Sequence, residues 1–258
     1  MPRGSGSRDA GAAQGTEHPA VHLISTVVFP HDVVSLHLPE ENPAARLLPD
    51  VEETTVVALF GKRGALPPRR LEDVRRIGVL CRVAQSMRMP DGGLQVVFQG
   101  LERTRIRSLR ADGDDLRVVV ESLGPEKEST GTDPRVLEVL DLVTEFLSRD
   151  GTHPEHLDQV LRLNLRGPGR FADLAAASLH LPLAVKRDVV ATPDPGQRLT
   201  LLAAALEEEV QRCLFETSVH ERVRDRLDRR QKEQYVRMQI KALREEIGDE
   251  RSPDEEAD

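Results

Sequence analysis

A chain of 258 residues with 38% apolar content can bury one large core or two small ones, and two domains are expected. The aromatic fraction is only 3%, with no Trp and one Tyr, so Leu, Val, Ile and Ala must fill those cores. A formal net charge of −8 argues against general affinity for nucleic acid or acidic membranes, which are bound first through Lys and Arg.

Residues 1–20, rich in Gly, Ser, Ala and charge without periodicity, read as a disordered leader. From Val21 to about Leu123 the signals are those of short strands. They run Val21–Phe29, Val33–Leu38, Thr55–Phe60, Ile77–Met89, Leu94–Gln99, Thr104–Leu109 and Leu116–Glu121, and their regular spacing suggests a closed or nearly closed antiparallel sheet. The clearest hairpin turn is Met89-Pro90-Asp91-Gly92-Gly93-Leu94, where Pro presets φ and the glycines supply positive φ. A short helix with Asn42 as N-cap and Pro43 in its first turn, stopping near Pro49, interrupts the strands and is placed to cover an open barrel end. Gly124 to Asp133 is polar and turn-rich, which marks a domain boundary.

Beyond it the period changes to 3.6. Asp133 and Pro134 open a helix carrying Val136, Leu140, Val143 and Leu147 on one face. A second helix carries Leu157, Val160 and Leu161, a third Phe171, Leu174, Ala175 and Leu179, and a fourth runs from Pro182 through Val189. Together they predict a small bundle. Asp194 and Pro195 then start a helix that no proline interrupts before Pro253. From Gly196 to Ile247 it would span roughly 75 Å. Its near half keeps a stripe of Leu199, Leu202, Leu206, Val210 and Leu214 that should pack, and its far half thins and should project. The chain closes on an acidic tail, residues 249–258, and reads as cut at that end.

No motif for catalysis emerges. Gly61-Lys62 is followed by Arg63, not by the Ser or Thr of a phosphate-binding loop, and neither GxGxxG nor GxSxG occurs. Cys81 and Cys213 lie far apart without a CxxC, which argues against a disulfide framework or zinc site and fits a reducing cytosol. No apolar run is long enough to cross a bilayer, so a soluble, cytoplasmic protein is expected. His153 and His156 offer a metal only two ligands, and a polar turn explains them better. Asp112, Asp114 and Asp115 with Gly113 suit a hairpin turn better than calcium. The arginines between Arg222 and Arg230 alternate with Glu221, Asp225 and Asp228, as on a solvated helix face. Met87 and Met89 share one strand face beside the Pro90 turn, where they either close the barrel core or form an adaptable contact surface. Phe29, Phe60 and Phe98 sit in strands and are expected in the core.

Gly78-Val79-Leu80-Cys81-Arg82-Val83, then Met89-Pro90-Asp91-Gly92-Gly93, then Gly100-Leu101-Glu102-Arg103-Thr104-Arg105-Ile106 resembles the N-terminal domain of Lon proteases. Val28-Phe29-Pro30-His31 matches that family's first strand, and the stretch from Arg230 to Gly248, RQKEQYVRMQIKALREEIG, is similar to the signature leading into its ATPase module. The resemblance covers nearly all of Val21 to Gly248. It implies an α+β chain: a PUA-like antiparallel β-barrel domain over 21–124, a linker over 125–133, a helical subdomain over 134–193 and a long C-terminal helix over 194–248. In the family these feed an AAA+ ATPase and a serine-lysine peptidase within a hexamer, and neither module lies in these residues. ATP and magnesium are implied for the ATPase module, and no cofactor for this chain. Two departures stand out: Leu23-Ile24-Ser25-Thr26 replaces a Leu-Pro-Leu-Arg type segment, and the helix from Pro43 to Leu48 is shorter than the family's.

The function expected on this basis is substrate recognition and assembly for an ATP-dependent protease, with unfolded or damaged proteins as partners and no catalysis in this chain. Met87, Met89, Pro90, Phe29 and Pro30 are the expected substrate contacts. Val223, Leu227, Tyr235, Met238 and Leu243 would associate with a second copy, because an isolated rod would leave them in water. The alternative is a stand-alone PUA-like barrel that binds a regulator, RNA or small ligand, with Lys62, Arg63, Arg69, Arg70, Arg75 and Arg76 as its phosphate contacts.

Overall fold

A computed structural model describes residues 15–42, 44–45, 48, 55–62, 68–113, 115–126, 132–150 and 156–249. Its strands are β1 (Thr16–Leu23), β2 (Val33–Leu38), β3 (Thr55–Phe60), β4 (Ile77–Arg88), β5 (Leu94–Asp112) and β6 (Asp115–Ser122). The sheet runs β2-β5-β4-β3-β1-β6, and β6 pairs again with β5. Five strands therefore close a barrel and β2 is added outside it, in the α+β architecture expected. Pairing is antiparallel except between β1 and β3, where Ala20–Leu23 lies parallel to Val57–Phe60. That exception follows from connectivity, because the link from β1 to β3 is a crossover that carries β2.

Two strands differ from the sequence reading. β1 begins at Thr16, so residues 16–20 are strand and not leader: Thr16–Pro19 pair with Arg117–Val120. β5 is continuous where two strands were expected, because Gly100 to Arg103 break the apolar alternation without breaking the pairing. On one side β5 pairs with β4, and on the other with β2 through Leu94–Gln99 and then with β6 from Thr104. It is the seam that closes the barrel.

The turn before β2 is fitted to that seam. His31 N–H donates to the Gly100 carbonyl and Gly100 N–H to the Asp32 carbonyl, each at 2.9 Å, while Asp32 N–H reaches back to the Phe29 carbonyl at 3.2 Å. His31 takes a positive φ of 66° to make this turn. A side chain at position 100 would collide with the Phe29 carbonyl, so Gly100 is required by close approach. Phe29, Phe60 and Phe98 are buried, as expected, and the rest of the barrel core is aliphatic, with Val57, Leu59, Val74 and Ile106 at one end. Cys81 lies in this core, and burial pushes its thiol up to about 12, which keeps it protonated and inert. At the β5–β6 turn Asp112 pairs with Asp115, the hairpin geometry preferred over calcium.

The helices are α1 (Pro134–Asp150), α2 (Leu157–Arg162), α3 (Pro168–Ser178), α4 (Leu183–Ala191) and α5 (Pro195–Asp249). Both predicted aspartate caps are made: Asp133 Oδ1 accepts from Arg135 N–H at 3.0 Å, and Asp194 Oδ2 from Gln197 N–H at 2.8 Å. Asn42 Oδ1 accepts from Ala44 N–H at 3.0 Å, as an N-cap does, while much of Pro43–Pro49 lies outside the described residues. So do His153 and residues 250–258 of the acidic tail, whose first residue, Asp249, ends the last helix. Val136, Leu140 and Val143 bury the face of α1, whereas Val160 of α2, expected inward, is exposed. The chain forms two compact units, one ending at Glu209 and one starting at Val210. In the first, Leu199, Leu202 and Leu206 of α5 are buried. In the second, Leu214, Val223, Leu227, Tyr235, Met238 and Leu243 are exposed. Among the described residues no helix is long and apolar enough to cross a membrane.

Candidate functional site

Within the first unit, α4 is tied to the barrel by polar contacts. Arg75 pairs with Asp188 at 2.5 Å, and Arg187 donates to the Ile24 carbonyl. Arg103 of β5 donates through Nε to the Val190 carbonyl at 3.0 Å. Its other two nitrogens form a fork on Asp173 of α3, both bonds at 2.5 Å. Arg198, in the first turn of α5, donates to the same carboxylate at 2.8 Å and to the Gly169 carbonyl at 3.2 Å, and pairs with Glu126. Arg103, Asp173 and Arg198 are all buried. Two guanidinium groups and two carboxylates thus neutralise one another between barrel and helices, in the bidentate geometry that only arginine offers. Both oxygens of Asp173 accept from arginines, so the cluster fastens elements together.

A cavity of about 570 Å³ opens beside the cluster, lined by Pro30, His31, Glu102, Glu126, Arg170 and Pro193 among others. A second, of about 470 Å³, is bounded by Ser25 to Val27, by Asp32 to Ser35 at the start of β2, and by Leu181, Leu183 and Lys186. Burial raises the Asp32 carboxyl, an effect eased by the Val33 N–H and by Lys186. Burial likewise lowers Lys186, which Asp32 offsets in part. The two charges face the same desolvated groove.

The third feature is the tip of the β4–β5 hairpin. Met89 N–H donates to the Gly93 carbonyl at 2.8 Å, Asp91 Oδ1 accepts from Gly93 N–H at 3.0 Å, and Gly92 takes a φ of 84°. This is the turn the sequence predicts. Met87 is 53% exposed, Pro90 is exposed and Met89 half-buried. The reason is a bulge between Val83 and Gln85. Ile77, Val79, Cys81 and Val83 point inward, and one extra residue reverses the alternation, so Met87 emerges on the surface instead of closing the core. Phe29 does not join this surface. At 1% exposure it belongs to the core, which corrects its expected role as a substrate contact. Pro30 is also buried and borders the cavity beside the arginine cluster. Of the basic set proposed for phosphate, Arg75 is committed to Asp188, Asp73 holds the Arg69–Arg70 backbone, and Arg63 lies outside the described residues.

The sequence profile of the ATP-dependent protease La (LON) substrate-binding domain matches residues 17–208. The chain belongs to this family. The Lon match begins inside β1 and ends beside the boundary of the first compact unit. Over 245 residues the chain is 30% identical to the Lon protease of Escherichia coli (strain K12), covering 93% of this chain and 31% of that protein. Over 239 residues it is 28% identical to the Lon protease of Xanthomonas oryzae pv. oryzae, covering 90% and 27%. It thus spans about a third or less of the length of these Lon relatives. The fold is that of the N terminal domain of Mycobacterium avium complex Lon protease, with a TM-score of 0.56 at 24% identity over 74% of this chain and 98% of that one.

The buried Arg103-Asp173-Arg198 cluster, joined by the exposed Glu126, lies outside the sites the sequence predicts. Its signal was present, since Asp173 sits in an otherwise apolar run, Phe171-Ala172-Asp173-Leu174-Ala175, and Arg198 precedes the Leu199 stripe. A lone charge on an apolar face asks for a buried partner.

Proposed function

We propose that this chain is the substrate-engaging region of a Lon-like ATP-dependent protease. It holds unfolded or damaged polypeptide while an ATPase module, which uses ATP and magnesium, unfolds it and a peptidase module cuts it in the cytoplasm. The observation that carries this reading is the match of residues 17–208 to a substrate-binding domain. The exposed Met87, with Met89 and Pro90, supports it physically, because thioethers adapt to many apolar sequences. Met87→Ser with Met89→Ser should weaken binding of a fluorescein-labelled, reduced and alkylated protein about three- to tenfold. Fluorescence anisotropy checks this, and an unchanged affinity would remove the hairpin tip from the contact surface.

We further propose that the exposed apolar residues of the second unit, Val223, Leu227, Tyr235, Met238 and Leu243, pair with a second copy of the helix as part of a hexameric parent. Sedimentation at high micromolar concentration should show self-association that Leu227→Glu with Leu243→Glu abolishes. A clean monomer of the unaltered chain would contradict it.

A further inference from the structure

The five-strand barrel leaves one strand out of its ring. Among the described residues β2 pairs along its length with β5 alone, which makes it an edge strand. Proteins normally blunt such an edge with a lysine, a proline, a bulge or a cover, because its unpaired N–H and C=O groups recruit other strands. β2 reads Val-Val-Ser-Leu-His-Leu, with neither lysine nor proline, and pairs with β5 without a bulge. Val33 at its start is 61% exposed. The smaller groove runs beside this start, between Asp32–Ser35 and the α3–α4 segment that carries Leu181, Leu183 and Lys186. Ile24, exposed in the neighbouring loop, adds a further apolar group, and Arg187 holds that loop in place through the Ile24 carbonyl.

We infer that β2 captures an extended segment of an unfolded polypeptide as an added β-strand. This rests on the substrate-engaging reading above and specifies where the main chain of the substrate would be held. An edge strand selects its occupant by geometry: only a segment with free backbone groups can complete it, so a folded protein is ignored and an unfolded one is taken largely irrespective of sequence. Gly100 N–H donates to the Asp32 carbonyl, so in this register Val34, Leu36 and Leu38 face β5 with their backbone groups, and because Asp32 Oδ1 already accepts from Val33 N–H at 2.9 Å, the N–H groups open to an added strand are those of Ser35 and His37. Every second residue there turns its N–H and C=O outward. Leu181 and Leu183 would receive apolar side chains of the added strand, and Asp32 and Lys186 are the charged residues of the groove lining.

The test uses the full chain and two probes: a fluorescein-labelled, reduced and alkylated protein, and a strand-length peptide rich in Val and Thr with an analogue N-methylated at alternate residues. Val33→Lys with Ser35→Lys, which guards the edge without entering the core, should weaken binding of both probes about tenfold or more. N-methylation should do the same against the unaltered chain, and this arm does not depend on any variant folding. Loss of binding in both arms supports the added strand. If the unaltered chain binds the unfolded protein while neither change matters, the edge proposal is overturned and the substrate-engaging reading survives. If the unaltered chain binds no unfolded protein, that reading falls and the edge proposal with it. If instead the lysines abolish only a dimer seen in sedimentation, the occupant is a second copy and the proposal is overturned.

Discussion

Asp173→Ala should lower the unfolding free energy of the chain by about 3–5 kcal/mol, measured by urea denaturation. The carboxylate is the shared acceptor of Arg103 from the barrel and Arg198 from the start of α5, and all three side chains are buried. Removing it leaves two guanidinium groups short of a partner, and Glu126, itself partly exposed, can neutralise only one of them. The loss therefore comes less from broken attraction than from charge left without compensation in a poorly solvated place. A second variant separates these contributions: Arg103→Met together with Asp173→Leu should be much less damaging than the sum of the single changes, because it removes both charges and leaves Arg198 with Glu126. If Asp173→Ala cost less than about 1 kcal/mol, water would have to reach the cluster, and its role as a fastener would be wrong.

Gly100→Ala should lower stability by about 1–3 kcal/mol, the range for forcing extra atoms into a well-packed interior. The added methyl would meet the Phe29 carbonyl within the turn whose hydrogen bonds tie His31 and Asp32 to position 100. Relief requires β5 or the Phe29–Asp32 turn to move, and either movement disturbs the start of β2. Thermal unfolding followed by circular dichroism checks the loss. A melting temperature unchanged from that of the unaltered chain would show that the turn yields freely. Gly92→Ala provides the contrast, since its strain is confined to an exposed hairpin tip with φ of 84° beside the Glu40 side chain.

Much of this architecture could be read from the residues. β2 and β3 have the bounds expected of them because their runs are apolar and end at turn residues. The switch to helical period after Asp133 and both aspartate caps are likewise local signals, and local signals survive in a single sequence. The start of β1 is not legible in the sequence because Thr16-Glu17-His18-Pro19 carries no apolar alternation, and becomes strand only through pairing with Arg117–Val120. The continuity of β5 is hidden because Gly100 to Arg103 interrupt the apolar alternation, and Arg103 looks like a surface residue until Asp173, seventy positions on, is brought beside it. The exposure of Met87 depends on a bulge, which no pattern of residue types announces. What escaped the sequence in each case is a relation between distant segments.

The order of the strands also has a consequence for how this protein is made. Thr16–Pro19 find their partners only in β6, about a hundred residues downstream, while Ala20–Leu23 wait for β3. A ribosome delivers the N-terminus first, so the ring cannot shut until β6 has emerged, and the earliest segment is among the last to be secured. Until then Thr16–Pro19 and β5 from Thr104 onward keep an open backbone edge, the complement of the extended segments that the finished domain is proposed to bind.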